Sequence, residues 1–178
     1  RRRLARTFAH RHAVLATDLA AHWRWRDRGA RRVAISGANG FVGSALTAFL
    51  TAGGHEVVRL GRYPAPGAIA AGAGYERLRP EDLAGVDTVI HLAGESIASG
   101  RWTAARKERI LTSRAAPTAR LAEVIAAMDQ PPAAFLCASA VGFYGDTGET
   151  TVDESGAAGD GFLAAVVRDW EAAAATAA

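Results

Sequence analysis

Cysteine, lysine and methionine each occur once in this 178-residue chain, as Cys137, Lys107 and Met128. A single cysteine rules out an internal disulfide, and its place in the apolar run Phe135-Leu136-Cys137 reads as a small buried hydrophobe rather than a nucleophile. No apolar stretch approaches the roughly 20 residues needed to span a bilayer. His10, Arg11, His12 and Asp18 interrupt any signal-peptide core behind the first arginines. A cytoplasmic chain without a membrane partner or a metal is therefore expected. Near absence of lysine beside abundant arginine and alanine fits a base-composition bias of the genome, which weakens any inference from arginine count alone.

Charge is unevenly spread. Residues 1–32 hold ten arginines against Asp18 and Asp27, so +8, and residues 33–178 hold 11 basic against 16 acidic side chains, so −5, together the chain's +3. A basic arm can signal nucleic acid. Leu4, Phe8, Leu15, Leu19 and Trp23 recur here at near-helical spacing, however, so the segment has an apolar face to bury and no nucleic-acid partner is expected. With 49% hydrophobic residues the rest can fill the core of one ordinary domain. The chain opens on Arg1 without a methionine and closes on an alanine run with no helix-stop signal, so it reads as a fragment of something longer.

The most informative stretch is Val-Ala-Ile-Ser-Gly-Ala-Asn-Gly-Phe-Val-Gly, residues 33–43. An apolar strand stops at Gly37, Gly40 and Gly43, and Ala45, Leu46, Phe49 and Leu50 then take up a helical period. In a dinucleotide site Gly37 provides the sharp turn, Gly40 lets backbone N–H groups approach phosphate, and Gly43 lets the helix pack closely on the sheet. Its positive end then faces the anion. Gly-rich turns also join strands and helices without a ligand, so the motif needs support from elsewhere. A second strand at residues 55–60 supplies some, because a Rossmann half-site requires one about 20 residues on. It ends in Gly61-Arg62 where an acidic residue would bind a ribose 2′-hydroxyl. A guanidinium there suits a 2′-phosphate, favouring NADP over NAD, unless Arg62 is one more solvated arginine.

Beyond residue 31 strand and helix alternate, the pattern of a doubly wound α/β sheet. A Gly/Pro/Ala loop at residues 63–74, a weak strand at 75–78 and a short turn or helix at 81–83 precede a strong strand at 87–93. Residues 102–128 read as helical apart from Pro117, which starts a second helix or kinks a long one. A strand at 133–139 and a closing helix at 162–177 follow. Ligands collect outside the carboxyl ends of such strands. There the sequence places Leu92-Ala93-Gly94 running into Glu95-Ser96, and Ser139 running into Tyr144. Small residues at Ala93 and Gly94 leave room for a flat cofactor, or form an ordinary turn.

Gly37, Gly40 and Gly43, Ala93-Gly94 and Ser139 resemble the extended short-chain dehydrogenase/reductases. Blocks in the same order narrow the likeness: Gly54-His55-Glu56-Val57, Arg62, His91 to Ile97, Arg101-Trp102-Thr103, Lys107, Ser113-Arg114, Ser139 to Gly145, Asp153-Glu154, Phe162-Leu163 and Trp170-Glu171-Ala172-Ala173. They are similar to an atypical group of epimerase-like NADP-binding oxidoreductases. The resemblance implies a Rossmann-type sheet over residues 31–178, truncated before a C-terminal substrate region. It implies cofactor contacts from Gly37, Asn39, Gly40, Phe41, Val42, Gly43, Gly61, Arg62, Leu92, Ala93 and Gly94, with Arg109 and Arg114 within reach of ribose or phosphate unless both are solvated helix arginines. Superfamily members often dimerise through helices including the last one here, which makes a homodimer an expectation. Residues 1–28 resemble the last helix of a START-like, polyketide-cyclase-type domain, or form a plain amphipathic arm.

One departure matters. Most of the superfamily carries a Tyr-x-x-x-Lys pair on the helix after the fifth strand, the lysine lowering the tyrosine pKa for proton exchange. The equivalent positions here are Phe162 and Val166, which cannot titrate. Substitutes are Ser139, which can hydrogen-bond a substrate oxygen, Tyr144 in the adjacent loop, and Glu95 after the fourth strand, unless Glu95 only binds loop backbone or Arg101. The reading is an NADP-dependent oxidoreductase or epimerase-like enzyme on a small molecule the residues do not name. Its alternative is a non-catalytic NADP-binding redox sensor.

Overall fold

The computed structural model describes residues 2–98 and 100–177. Arg1 and Ala178, the two termini on which the expectation of a fragment rests, lie outside the described residues, as does Ser99. Strands β1 (Arg32–Ser36), β2 (Glu56–Gly61), β3 (Ala68–Ala70), β4 (Thr88–His91) and β5 (Ala134–Cys137) form one parallel sheet in the order β3-β2-β1-β4-β5. Helices are α1 (Arg2–Trp25), α2 (Phe41–Ala52), α3 (Ala104–Thr112), α4 (Ala115–Ala126) and α5 (Phe162–Ala174).

β1 is central, and Val33, Ala34, Ile35 and Ser36 are all buried because both faces of the sheet are covered. Ala34 packs in the cluster that holds Leu121, Val124 and Ile125 of α4, while Val33 and Ile35 pack with Leu46 and Leu50 of α2. From β1 the chain winds outward to β3, then returns to β4 on the other side of β1. The carboxyl ends of β1 and β4 therefore flank a topological switch point, where open α/β sheets bind ligands. Asp87 helps set that pairing. It accepts from the Arg32 N–H at 2.7 Å and from the Arg31 guanidinium at 3.3 Å, contacts that hold its carboxyl below the usual aspartate range.

Two local expectations are corrected, and a third, a second helix with Pro117 at its start, is borne out. The third strand is Ala68–Ala70, inside the segment read as loop, and residues 75–78 form no strand. Tyr75 has φ 61°, a left-handed conformation that breaks extended backbone. Three residues of Ala-Ile-Ala are too few to show an alternating pattern. The long helical stretch divides at Ser113-Arg114, three residues before Pro117, which sits in the first turn of α4 where its missing N–H costs nothing. Finally, the apolar face of α1 is not buried: Leu4, Phe8, Leu15, Leu19 and Trp23 are each about half exposed or more, and none of its described residues is buried. Its ring contact with the sheet domain is His22 stacked on Phe49 of α2, centroids 4.4 Å apart, at the far end of that stripe. Among the described residues no helix is long and apolar enough to cross a membrane.

Candidate functional site

The glycine loop owes its shape to two close approaches. Gly37 has φ 69°, and a Cβ there would stand 2.8 Å from the Leu92 carbonyl carbon at the end of β4. A Cβ on Gly43 would stand 2.2 Å from the Gly37 carbonyl oxygen, so only glycine lets α2 begin this close to β1. Gly40 N–H donates to the Gly37 carbonyl and Ser44 N–H to the Gly40 carbonyl, both at 2.9 Å. The helical ladder therefore starts at Ser44, and the N–H groups of Phe41, Val42 and Gly43 precede it at the positive end of the helix. Phe41 and Val42 turn their side chains to solvent, Phe41 being 97% exposed, so these residues offer backbone to the site and little else.

A cleft of about 550 Å³ opens beside this loop. Its lining brings together Gly37, Asn39, Gly40, Gly61, Arg62, Leu92, Ala93 and Gly94. Arg109 is exposed on α3 and does not line the cleft. Arg114 stands behind the lining: a Cβ on Gly94 would lie 3.1 Å from its guanidinium carbon. That guanidinium donates to the Ile110 carbonyl at 3.0 Å and the Glu95 carbonyl at 2.9 Å, and it lies over the Trp170 ring at 5.2 Å. Sequence reasoning missed Arg59, Tyr63, Tyr75 and Ser113 in the lining. Arg59 was detectable, since it lies two residues before Gly61 on β2 and alternation puts both on one face. The residues fit a dinucleotide: free N–H groups at a helix start, two arginines across the cleft, and glycines where a side chain would collide with backbone.

Under the cleft a polar row crosses the sheet. Pairing places Leu60, Ser36, His91 and Cys137 side by side on the α4 face. The Ser36 hydroxyl oxygen accepts the N–H of Leu92 at 3.1 Å and of Ala93 at 3.4 Å, and lies 2.6 Å from His91 Nδ1. With two donors already on that oxygen, its own proton goes to Nδ1, which leaves the proton of a neutral ring on Nε2. Burial pushes the His91 pKa down to about 4. The Tyr75 hydroxyl lies 3.4 Å from the same Nδ1, and burial raises its pKa. The row thus ties the floor of the cleft, Leu92 and Ala93, to β1. At its end burial pushes the Cys137 thiol up to about 11, outweighing Thr118 and Trp170, which favour the thiolate. A thiol held protonated at neutral pH is not a nucleophile.

The three catalytic candidates do not converge in the cleft lining. The Glu95 carboxylate pairs with Arg106 at 3.5 Å, not with Arg101. The half-buried Tyr144 packs edge-on against Phe143, centroids 5.3 Å apart. Ser139 follows β5 and donates its hydroxyl proton to Glu171 of α5. Phe162 stacks edge-on against Trp102 with Lys107 5.4 Å from its ring, and Val166 is 2% exposed in the core. Among the described residues no group of three or more His, Cys, Asp or Glu side chains is placed to hold a metal.

Fold and loop together define a Rossmann-type dinucleotide-binding unit. Residues 33–161 match the NAD dependent epimerase/dehydratase family, and the chain belongs to it. Over 150 residues it is 42% identical to the epimerase family protein Mb2239 of Mycobacterium bovis, covering 79% of this chain and 47% of that protein. The solved nucleoside-diphosphate sugar epimerase from Corynebacterium glutamicum superimposes with a TM-score of 0.80 at 41% identity, over 96% of this chain and 36% of that one. Human epimerase family protein SDR39U1, solved with NADPH, gives 0.69 at 36% identity over 80% of this chain and 48% of its own. MoeE5, solved with UDP-glucose and NAD, gives 0.64 at 26% over 84% of this chain and 50% of its own. The chain spans about half the length of the curated relatives it matches.

Proposed function

We propose that this chain is the cofactor-binding part of an NADP-dependent oxidoreductase or epimerase-like enzyme acting on a small molecule. The observation that carries the reading is that Arg62, with Arg59, lines the same cleft as the glycine loop, at the strand end where an acidic residue would favour NAD. Relatives of this fold solved with NADPH and with NAD leave that choice to such side chains. In this reading the backbone of Gly37, Asn39, Gly40, Phe41, Val42 and Gly43 holds the pyrophosphate, and Gly61 and Arg62 meet the ribose and its 2′-phosphate. Leu92, Ala93 and Gly94 form the wall for the rest of the cofactor, with Arg114 packed behind them. When bound, the nicotinamide supplies hydride transfer. The chain's own part is to bind, orient and exchange a proton with the substrate, for which Ser139, Tyr144 and Glu95 are the proposed groups.

Fluorescence titration of the intact protein with NADPH and NADH tests this reading. NADPH is expected to bind at least tenfold more tightly, and binding of neither refutes it. The burial of Val166 and the packing of Phe162 favour a second reading, a non-catalytic NADP-binding redox sensor. Tight NADPH binding without turnover on carbonyl compounds or nucleotide sugars supports that alternative. Residues 1–28 fit the closing helix of a START-like domain: the exposed stripe of α1 is suited to a core, and the 96% overlap with the Corynebacterium structure requires most of α1 to be included. A cytoplasmic location and a homodimer complete the proposal.

A further inference from the structure

We propose that Ser139 and Glu171 form the proton-handling pair of this site, with the Ser139 hydroxyl meeting a substrate oxygen and the Glu171 carboxylate acting through it. This rests on the NADP-dependent reading above and assigns the acid–base role that reading leaves open. Two blocks separated by 32 residues meet here, since Ser139 Oγ donates to Glu171 Oε1. Their position is set by strand register. His91 pairs with Cys137, and the Ala138 N–H continues the ladder to the His91 carbonyl at 2.9 Å. Ser139 follows β5 two residues after Cys137, as Ala93 of the cleft wall follows the neighbouring β4 two residues after His91.

α5 fixes the carboxylate at that height. Val167 and Trp170 are buried, Glu171 is exposed, and its charge acts on the Cys137 thiol at the end of β5. Trp170 carries Arg114 over its ring, and Arg114 lies against Gly94, which joins α5 to the same wall. The competing carboxylate, Glu95, is engaged by Arg106. Ser139 and Glu171 are exposed and joined by one hydrogen bond, donated by the serine hydroxyl.

For oxidation of an alcohol, the substrate O–H proton passes to Ser139 Oγ as the Ser139 proton passes to the Glu171 carboxylate. The carbon's hydride, with its two electrons, goes to the oxidised nicotinamide, and the O–H bonding pair becomes the second C=O bond. Glu171 then releases the proton to water. One alcohol and one NADP⁺ give one carbonyl, one NADPH and one proton, and reduction runs the same path backward. Ser139 touches substrate, while Glu171 is a positioning residue.

The test uses the intact protein with S139A, E171Q and the conservative E171D. In the cofactor-free protein a fluorophosphonate probe, read by mass spectrometry, is expected to label Ser139, with at least a tenfold loss in E171Q and recovery in E171D. With NADP⁺ and indan-1-ol, kcat is expected to fall roughly 100-fold in S139A and E171Q. KM and the NADPH Kd should stay within twofold of wild type. Labelling and kcat of E171Q equal to wild type, or neither labelling nor turnover in wild type, overturns the pair. If wild type binds no NADPH, the cofactor reading itself fails, a result separate from NADPH-binding variants that all label alike.

Discussion

Gly43→Ala sets two opposing effects against each other. Inside an exposed helix, alanine is favoured over glycine by about 0.8–1 kcal/mol, so propensity alone makes the variant more stable. Packing opposes it, because the new Cβ would stand 2.2 Å from the Gly37 carbonyl oxygen and 2.8 Å from Ala38 Cα, both backbone atoms that cannot rotate away. Restoring an ordinary contact of 3.4 Å requires the first turn of α2 to retreat by about 1 Å. Overpacking of this kind costs roughly 1–3 kcal/mol, and backbone against backbone belongs at the upper end. The net expectation is a loss of about 2 kcal/mol, which for a chain of this size lowers Tm by roughly 4–8 °C. The same retreat carries the N–H groups of Phe41 and Val42 away from a bound pyrophosphate. NADPH and NADH affinity should therefore fall together by about tenfold or more, near 1.4 kcal/mol. Calorimetry and fluorescence titration read both quantities. A Tm equal to or above wild type with unchanged NADPH affinity would refute the close approach of helix and loop.

Arg62→Ala should weaken NADPH by roughly 10- to 100-fold, the worth of a charge-assisted hydrogen bond of about 1.5–3 kcal/mol, and leave NADH within twofold. Equal loss for both cofactors would remove Arg62 from the 2′-phosphate. His91 predicts an acid limb of stability. Its folded pKa of about 4 lies below the unfolded value of 6.5, so the unfolded chain takes up the proton first as pH falls. Stability should decline from about pH 6.5 to pH 4 by the order of 3 kcal/mol and then level off for this group. Urea denaturation at pH 7 and pH 4.5 should show most of that decline in wild type and not in His91→Gln. The same loss in both would mean that the ring is not buried neutral.

Local rules made the central part of this fold legible. Val33 to Ile35 form a continuous apolar run because β1 is covered on both faces, and the glycine spacing follows from the clash a Cβ would make at Gly43. Arg62 was legible for the same reason, since the end of β2 lies a fixed chain length beyond the loop. Other features left no local trace. β3 is three residues of Ala-Ile-Ala, held by pairing with β2 and invisible to any periodicity. Tyr75 reaches the cleft from a segment that carries no motif, and Ser113 from a block whose sequence pointed to Arg114 instead.

By itself the sequence determined a glycine-loop α/β unit with Phe162 and Val166 where a tyrosine and a lysine usually stand, because periodicity, turn chemistry and residue identity act over a few positions along the chain. Tertiary structure alone decided which distant groups meet: Ser36 with His91, Arg114 with Gly94 and Trp170, and Ser139 with Glu171. Those contacts depend on strand order and register, which arise from cooperative burial of the whole sheet and are written in no single segment.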